Sequence, residues 1–76
     1  MQTISQRLAN CFSNVFPDLR SGEIPRATAE SVEAWDSVAH ITLLSAISEE
    51  FGVELEVEDY EELTSYRAIA EYLEKA

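Results

Sequence analysis

A serine hydroxyl at the expected start of a helix is the one group in this sequence with a directed chemical role. Ser37 follows Asp36, a favourable N-cap residue, and precedes a run in which apolar residues recur at helical spacing. The first helical turn has backbone N–H groups without intrahelical partners and the positive end of the helix dipole, so a phosphodiester on Ser37 would be stabilised there. From these two residues alone, ordinary helix capping is the more common explanation.

The other residue types that perform chemistry are scarce. The sequence has one histidine, His40, one cysteine, Cys11, and no glycine-rich phosphate loop. A catalytic triad, a metal cluster or a nucleotide cradle therefore cannot be assembled from the usual residues. We expect His40 to be an exposed surface residue and Cys11 to be a buried small apolar residue of the first helix. The sequence predicts neither an enzyme nor a metal site.

A run of acidic residues in the second half of the chain raises the question of calcium. It lacks the regular ligand spacing and the central glycine of an EF-hand loop. A solvated acidic face is the simpler interpretation, and weak divalent binding that relieves charge repulsion is the alternative. The run comprises Glu54, Glu56, Glu58, Asp59, Glu61 and Glu62.

The first half of the chain predicts one helix and a long connection. Apolar residues recur at helical spacing from about Thr3 to Phe16, where Thr3-Ile4-Ser5-Gln6 has the pattern of a capping box and Pro17 ends the helix. Residues 18–35 show no sustained period, so they are predicted to form a loop that includes at most a brief helical turn. We expect this loop to be pinned to the bundle by three apolar residues, Ile24, Val32 and Trp35.

The second half predicts a long helix, a short helix and a last helix. The long helix runs from the Asp36 cap to Gly52, and the last is capped by Thr64 or Ser65. Residues 53–57 alternate like a strand but have no partner strand, so we expect an extended connection, with a short acidic helix over 58–62. The predicted buried positions are Val38, Ile41, Leu44, Ile47 and Phe51 in the long helix, and Tyr66, Ile69, Ala70, Tyr72 and Leu73 in the last.

The fold class is therefore all-α. We predict a four-helix bundle with three longer helices, one short third helix and a long loop between helices one and two. With 76 residues, the chain is expected to be a single domain over residues 1–76, and to be monomeric.

Charge and cysteine content indicate which classes of partner and which cellular compartment to expect. Fifteen acidic and five basic residues give a net charge of −10, which disfavours nucleic acids and anionic membranes and favours basic partner surfaces. The single cysteine allows no internal disulfide, and no signal peptide or membrane-spanning stretch is apparent. We expect a cytoplasmic protein.

The pattern around Ser37 resembles the acyl carrier protein family, the free-standing carriers of phosphopantetheine. In that family an Asp-Ser-Leu motif opens the second helix, as Asp36-Ser37-Val38 does here, and the helix closes with acidic residues and Phe-Gly, as in 49–52. An alternating stretch then leads to a short third helix, and 63–69 resembles the entry to the family's last helix. The resemblance covers about residues 35–73.

The resemblance implies a carrier and a covalent cofactor. Ser37 would receive a 4′-phosphopantetheine arm from coenzyme A through a phosphopantetheinyl transferase, with Asp36 and Val38 flanking the attachment point. The arm would hold acyl intermediates as thioesters and deliver them to acyl-loading and acyl-processing enzymes. Basic patches on those enzymes would dock on acidic residues of the carrier, for which we expect Glu49, Glu50, Glu56, Glu58 and Asp59.

The kind of cargo is left open by the sequence. Ala39, His40 and Thr42 occupy positions that are frequently acidic in fatty-acid carriers, which favours a specialised biosynthetic pathway. A peptidyl or aminoacyl carrier is one alternative, although that family more often has glycine where Trp35 stands and carries less negative charge. The other alternative is an unmodified acidic helical adaptor in which Ser37 is only a cap residue.

Overall fold

The computed structural model describes residues 3–75 as a small helical bundle. Four α-helices follow in order, with one 3₁₀ turn in the long loop, and the described residues contain no strand. The predicted all-α bundle with three longer helices and a short third one is confirmed. The helices are α1 (Ile4–Val15), α2 (Ser37–Phe51), α3 (Val57–Tyr60) and α4 (Tyr66–Lys75), and the 3₁₀ turn is Ile24–Arg26. None of the described helices is long and apolar enough to span a membrane.

Side-chain caps determine where α1 and α4 begin. Thr3 Oγ1 accepts a hydrogen bond from the Gln6 N–H at 3.2 Å, and Gln6 Oε1 accepts one from the Thr3 N–H at 3.0 Å. The capping box predicted from the sequence is thus present. At α4, Ser65 Oγ accepts from the Ala68 N–H at 3.0 Å, so Ser65, one of the two predicted cap residues, is the one that caps this helix.

An aromatic cluster joins α1, the long loop and α4. The Phe12 side chain is fully buried, and its ring centroid lies 5.5 Å from that of Trp35 and 5.4 Å from that of Tyr66. Phe16 contacts both Phe12 and Trp35, at 6.2 and 5.6 Å between ring centroids. Aromatic residues bury large apolar areas, so this cluster is a major source of stability for the bundle.

The long loop is held to the bundle at both predicted and unpredicted places. Ile24 and Trp35 are buried and Val32 is half-buried, as expected. In addition, residues 27–29 pair with the start of α4: the Ala29 N–H donates to the Thr64 carbonyl at 2.8 Å, and the Tyr66 N–H donates to the Ala27 carbonyl at 3.0 Å. These two bonds satisfy loop backbone groups that would otherwise be unpaired, and explain why so long a loop is ordered.

The predicted buried face of α2 is wrong in part. Val38 and Ile41 are 73% and 54% exposed, whereas Leu43, which was not predicted, is fully buried together with Leu44 and Ile47. Apolar residues occur nearly all around α2, so their spacing alone does not identify the face that packs on α1. The consequence is that two large apolar side chains lie on the surface beside Ser37.

The short third helix is shifted and weakly buried. It spans Val57–Tyr60 rather than 58–62, and residues 53–56 form the predicted extended connection. None of the four α3 residues is buried. The Tyr72 hydroxyl of α4 donates a hydrogen bond to Asp59 Oδ2 of α3 at 3.4 Å.

The glycine that ends α2 gives a test of this fold. Gly52 has φ of +64°, and the space around its Cα is open, so Gly52→Ala adds no clash and meets only the cost of a left-handed backbone. We expect a loss of about 1 kcal/mol in the free energy of unfolding, measured by urea denaturation.

Gly22→Ala is the matched control for this change. The space at Gly22 is equally open, but its φ is not positive. We expect its stability to be unchanged or slightly raised. Equal losses in the two variants would contradict the left-handed cap.

Candidate functional site

The start of α2 places one buried residue directly before two exposed ones. Trp35 is only 5% exposed, whereas Asp36 and Ser37 are on the surface. Asp36 Oδ1 accepts a hydrogen bond from the Ala39 N–H at 2.8 Å, and the Asp36 carbonyl accepts one from the His40 N–H at 2.8 Å. Asp36 is therefore the N-cap that the sequence predicts, and Ser37 is the first residue of the helix.

The surroundings of Ser37 suit an attached phosphodiester. Helix geometry leaves the first-turn N–H groups without intrahelical partners, and the dipole there favours negative charge. Ser37 also borders an open depression of about 350 Å³, so a group on its hydroxyl has free space beside the helix. The depression is lined by Ala29, Trp35, Asp36, Ser37, His40 and Thr64. An exposed hydroxyl, open space and anion-favouring backbone together fit the arm that the resemblance implies.

His40 is not the exposed surface histidine expected from the sequence. Its ring is half-buried and hydrogen-bonded at both nitrogens: Trp35 Nε1–H donates to His40 Nδ1 at 2.9 Å, and His40 Nε2 lies 2.8 Å from the Tyr60 carbonyl oxygen. The indole N–H can only donate and the carbonyl can only accept, so the bridging ring is the neutral tautomer with its proton on Nε2. The expectation failed because the partners are a loop residue and a residue of α3, whose positions the helical period of α2 does not reveal.

The predicted docking carboxylates differ in how free they are. Glu49, Glu56 and Glu58 are exposed. The Glu50 carboxylate is paired with Arg7 of α1, whose Nε lies 2.8 Å from Glu50 Oε2. Asp59 is half-buried and accepts the hydrogen bond from Tyr72.

An exposed apolar pair next to Ser37 was missed as a surface feature. Ile41 is four residues after Ser37, so the two lie on the same side of α2 one turn apart, and Val38 lies three residues before Ile41. The signal that could have found this pair is the excess of apolar residues in α2, because α1 can cover only one side of the helix.

Cys11 is buried in α1 as expected and is a poor nucleophile in the folded state. Burial raises the pKa of its thiol, the negative charge of Glu50 raises this pKa further, and Arg7 offsets part of the rise. Little thiolate is therefore present near neutral pH. Among residues 3–75, no three His, Cys, Asp or Glu side chains come together as a metal site would require.

Comparison with known families agrees with the geometry at the start of α2. Residues 34–73 match the family model described as a phosphopantetheine attachment site, which covers more than half of the chain. No curated protein and no solved structure gives a significant match. Domains of this family bind a 4′-phosphopantetheine group covalently and act as carriers. The chain therefore belongs to the family of phosphopantetheine-attachment carrier domains.

Proposed function

We propose that Ser37 is the attachment residue and that the protein is an acyl carrier of a specialised biosynthetic pathway. The observation that carries this proposal is the exposed Ser37 hydroxyl in the first turn of α2, inside the segment that matches the family. The single-domain organisation, the monomeric state and the cytoplasmic location stay predictions from composition.

Comparison of the four serines in the matched segment favours Ser37. Ser48 donates its hydroxyl hydrogen bond to the Val53 carbonyl, and Ser65 uses its oxygen to cap α4. Ser45 is exposed, but it lies in the middle of α2, where the neighbouring N–H groups are engaged in the helix. Only Ser37 combines exposure with the anion-favouring end of a helix.

The residues around Ser37 have supporting roles in attachment. In the transfer that the family implies, the Ser37 oxygen forms the new bond to phosphorus, the bond from that phosphorus to the adenosine bisphosphate portion of coenzyme A breaks, and the hydroxyl proton goes to the transferase. Asp36 holds the first turn in place through its bond to Ala39. Val38 offers an exposed apolar contact beside the attachment point. When bound, the arm supplies the thiol that carries cargo as a thioester.

The protein's contribution to a pathway is then tethering rather than catalysis. A cargo attached to the surface at Ser37 meets successive enzyme sites at high effective concentration and does not diffuse away. The net charge of −10 and the tryptophan before Asp36 favour an acyl carrier over a peptidyl or aminoacyl carrier. Ala39, His40 and Thr42, at positions that are often acidic in fatty-acid carriers, favour a specialised pathway.

Replacement of the attachment residue tests the proposal. We expect Ser37→Ala to prevent the mass increase that the wild-type protein shows after incubation with coenzyme A and a broad-specificity phosphopantetheinyl transferase. Helicity should persist, with a loss of at most about 1 kcal/mol in stability, because Asp36 still caps α2.

Intact-mass spectrometry measures loading, and circular dichroism measures helicity. Ser45→Ala is the matched control, since it removes another exposed hydroxyl of α2 and should load normally. A wild-type protein that gains no mass would favour the unmodified adaptor.

The protein that carries the arm has two thiols, one on Cys11 and one at the end of the arm, and these should differ in reactivity. Because Cys11 is buried and its pKa is raised, we expect a thiol reagent at neutral pH to label only the arm in the native protein and both thiols in denaturant. Raising the pH should speed the labelling of Cys11 as its thiolate forms. Cys11→Ala should give one labelled thiol in both conditions, and rapid labelling of the unloaded native protein would contradict the buried site.

Docking on basic partner enzymes should depend on salt. Raising the salt from about 0.1 M to about 1 M shortens the Debye length from about 10 Å to about 3 Å, so the affinity for the transferase should fall. Titration calorimetry at several salt concentrations measures this. An affinity indifferent to salt would remove the electrostatic account.

Replacing single acidic residues and measuring the affinity for the transferase identifies which face of the protein docks. Glu58→Gln removes an exposed carboxylate of α3 and should weaken docking by about 1 kcal/mol or less. Glu74→Gln makes the same charge change on the last turn of α4 and serves as the control, with a smaller effect expected. Equal effects would indicate that net charge, rather than the predicted face, governs docking.

A further inference from the structure

The short helix α3 has little apolar burial, since Tyr60 is its one apolar residue that packs against the core and is only half-buried. None of its four residues is buried. His40 Nε2–H donates to the carbonyl of Tyr60, the last residue of α3, at 2.8 Å, and the two rings meet edge-to-face with centroids 5.9 Å apart. A segment with little apolar burial opens more readily than the core, so the His40 contact adds to the Tyr60 packing and to the Tyr72–Asp59 hydrogen bond in holding α3.

The other side of the His40 ring is anchored in the core. His40 Nδ1 accepts from Trp35 Nε1–H at 2.9 Å, and the Trp35 ring is buried between Phe12 and Phe16. His40 therefore links the rigid aromatic cluster to the weakly held α3. The two hydrogen bonds satisfy both nitrogens of the ring.

The contact that His40 makes between α2 and α3 lies within one helical turn of Ser37. Both residues border the same open depression. The core side chains Leu44, Ile47 and Ile69 are at most 1% exposed, so no open channel from the surface reaches them. An apolar chain attached at Ser37 could therefore enter the core only by displacing packed side chains, and at the boundary between α2 and α3 it would also have to break the His40 contact.

We propose that His40 is a positioning residue that locks α3 onto α2 and thereby keeps the cargo of the carrier outside the bundle. The cargo then lies over the depression beside Ser37 and the exposed pair Val38 and Ile41. The part of this inference that concerns cargo rests on the proposed attachment at Ser37. The part that concerns His40 holding α3 in place applies equally to the protein without the arm.

The lock is tested first on the unloaded protein by amide hydrogen exchange. The reporters are the N–H groups of Glu62 and Leu63, which donate to the Asp59 carbonyl at 3.1 and 3.2 Å. His40→Asn retains an acceptor close to the indole N–H and loses the donor to Tyr60, whereas His40→Gln can retain that donor. We expect exchange at both amides to become severalfold faster in His40→Asn and to be less affected in His40→Gln.

A matched control and a clear contrary result complete this test. Ser45→Ala changes an exposed residue of α2 away from the bridge and should leave the exchange rates as in the wild type. Unchanged exchange in both His40 variants, with helicity intact by circular dichroism, would overturn the lock.

The proposal that the cargo stays outside the bundle is tested by attaching an acetyl or an octanoyl group to the arm. In the wild type, the methyl NMR signals of Leu44, Ile47 and Ile69 should be the same for the two loads, because the longer chain stays outside. In His40→Asn, the octanoyl load should shift these signals. Shifts in the wild type, with the α3 amides still protected, would overturn the inference.

Failure of the arm itself is distinguished by intact mass. If the protein gains no mass after incubation with coenzyme A and the transferase, both the proposed function and the proposed position of the cargo are contradicted. The exchange measurement on the unloaded chain still decides whether His40 locks α3.

Discussion

The burial of Trp35 determines where Ser37, the proposed attachment residue, lies. Its ring packs against Phe12 and Phe16 and donates to His40, so the chain must leave the core at the next residue and begin α2 at the surface. Asp36 then caps the helix, and Ser37 occupies the first turn with its hydroxyl exposed. Moving this indole would displace both the helix start and the ring that bridges to α3. One buried side chain thus fixes the position and the surroundings of the site.

The division of the surface around Ser37 suits a protein that meets many partners briefly. The exposed pair Val38 and Ile41 offers apolar contact beside the proposed arm, and the acidic residues beyond offer long-range attraction to basic enzymes. Surface carboxylates in water give fast and weak association, which allows repeated handover. Not every carboxylate is equally available, since Arg7 holds Glu50 and thereby ties α1 to the end of α2.

Local signals in the sequence predicted the helices and the position where α2 begins well, because capping residues and helix-ending glycines act within a few residues. The Thr3 capping box, the Asp36 cap and the Gly52 end are of this kind. Contacts between distant segments were less accessible. The exposure of Ile41 depends on which side of α2 meets α1, and the bridge at His40 depends on a residue twenty positions away. The pairing of the long loop with α4 has no local signal, since it involves backbone groups.

Localisation of the arm by fragmentation mass spectrometry tests the central claim most directly. Cleavage after glutamate releases residues 34–49, which contain three serines, Ser37, Ser45 and Ser48. After treatment with coenzyme A and a phosphopantetheinyl transferase, the added mass should map to Ser37 alone, because of these three serines it alone lies exposed at a helix start within the segment that matches the family. Attachment at Ser45 or Ser48, or on a peptide outside 34–49, would contradict the account.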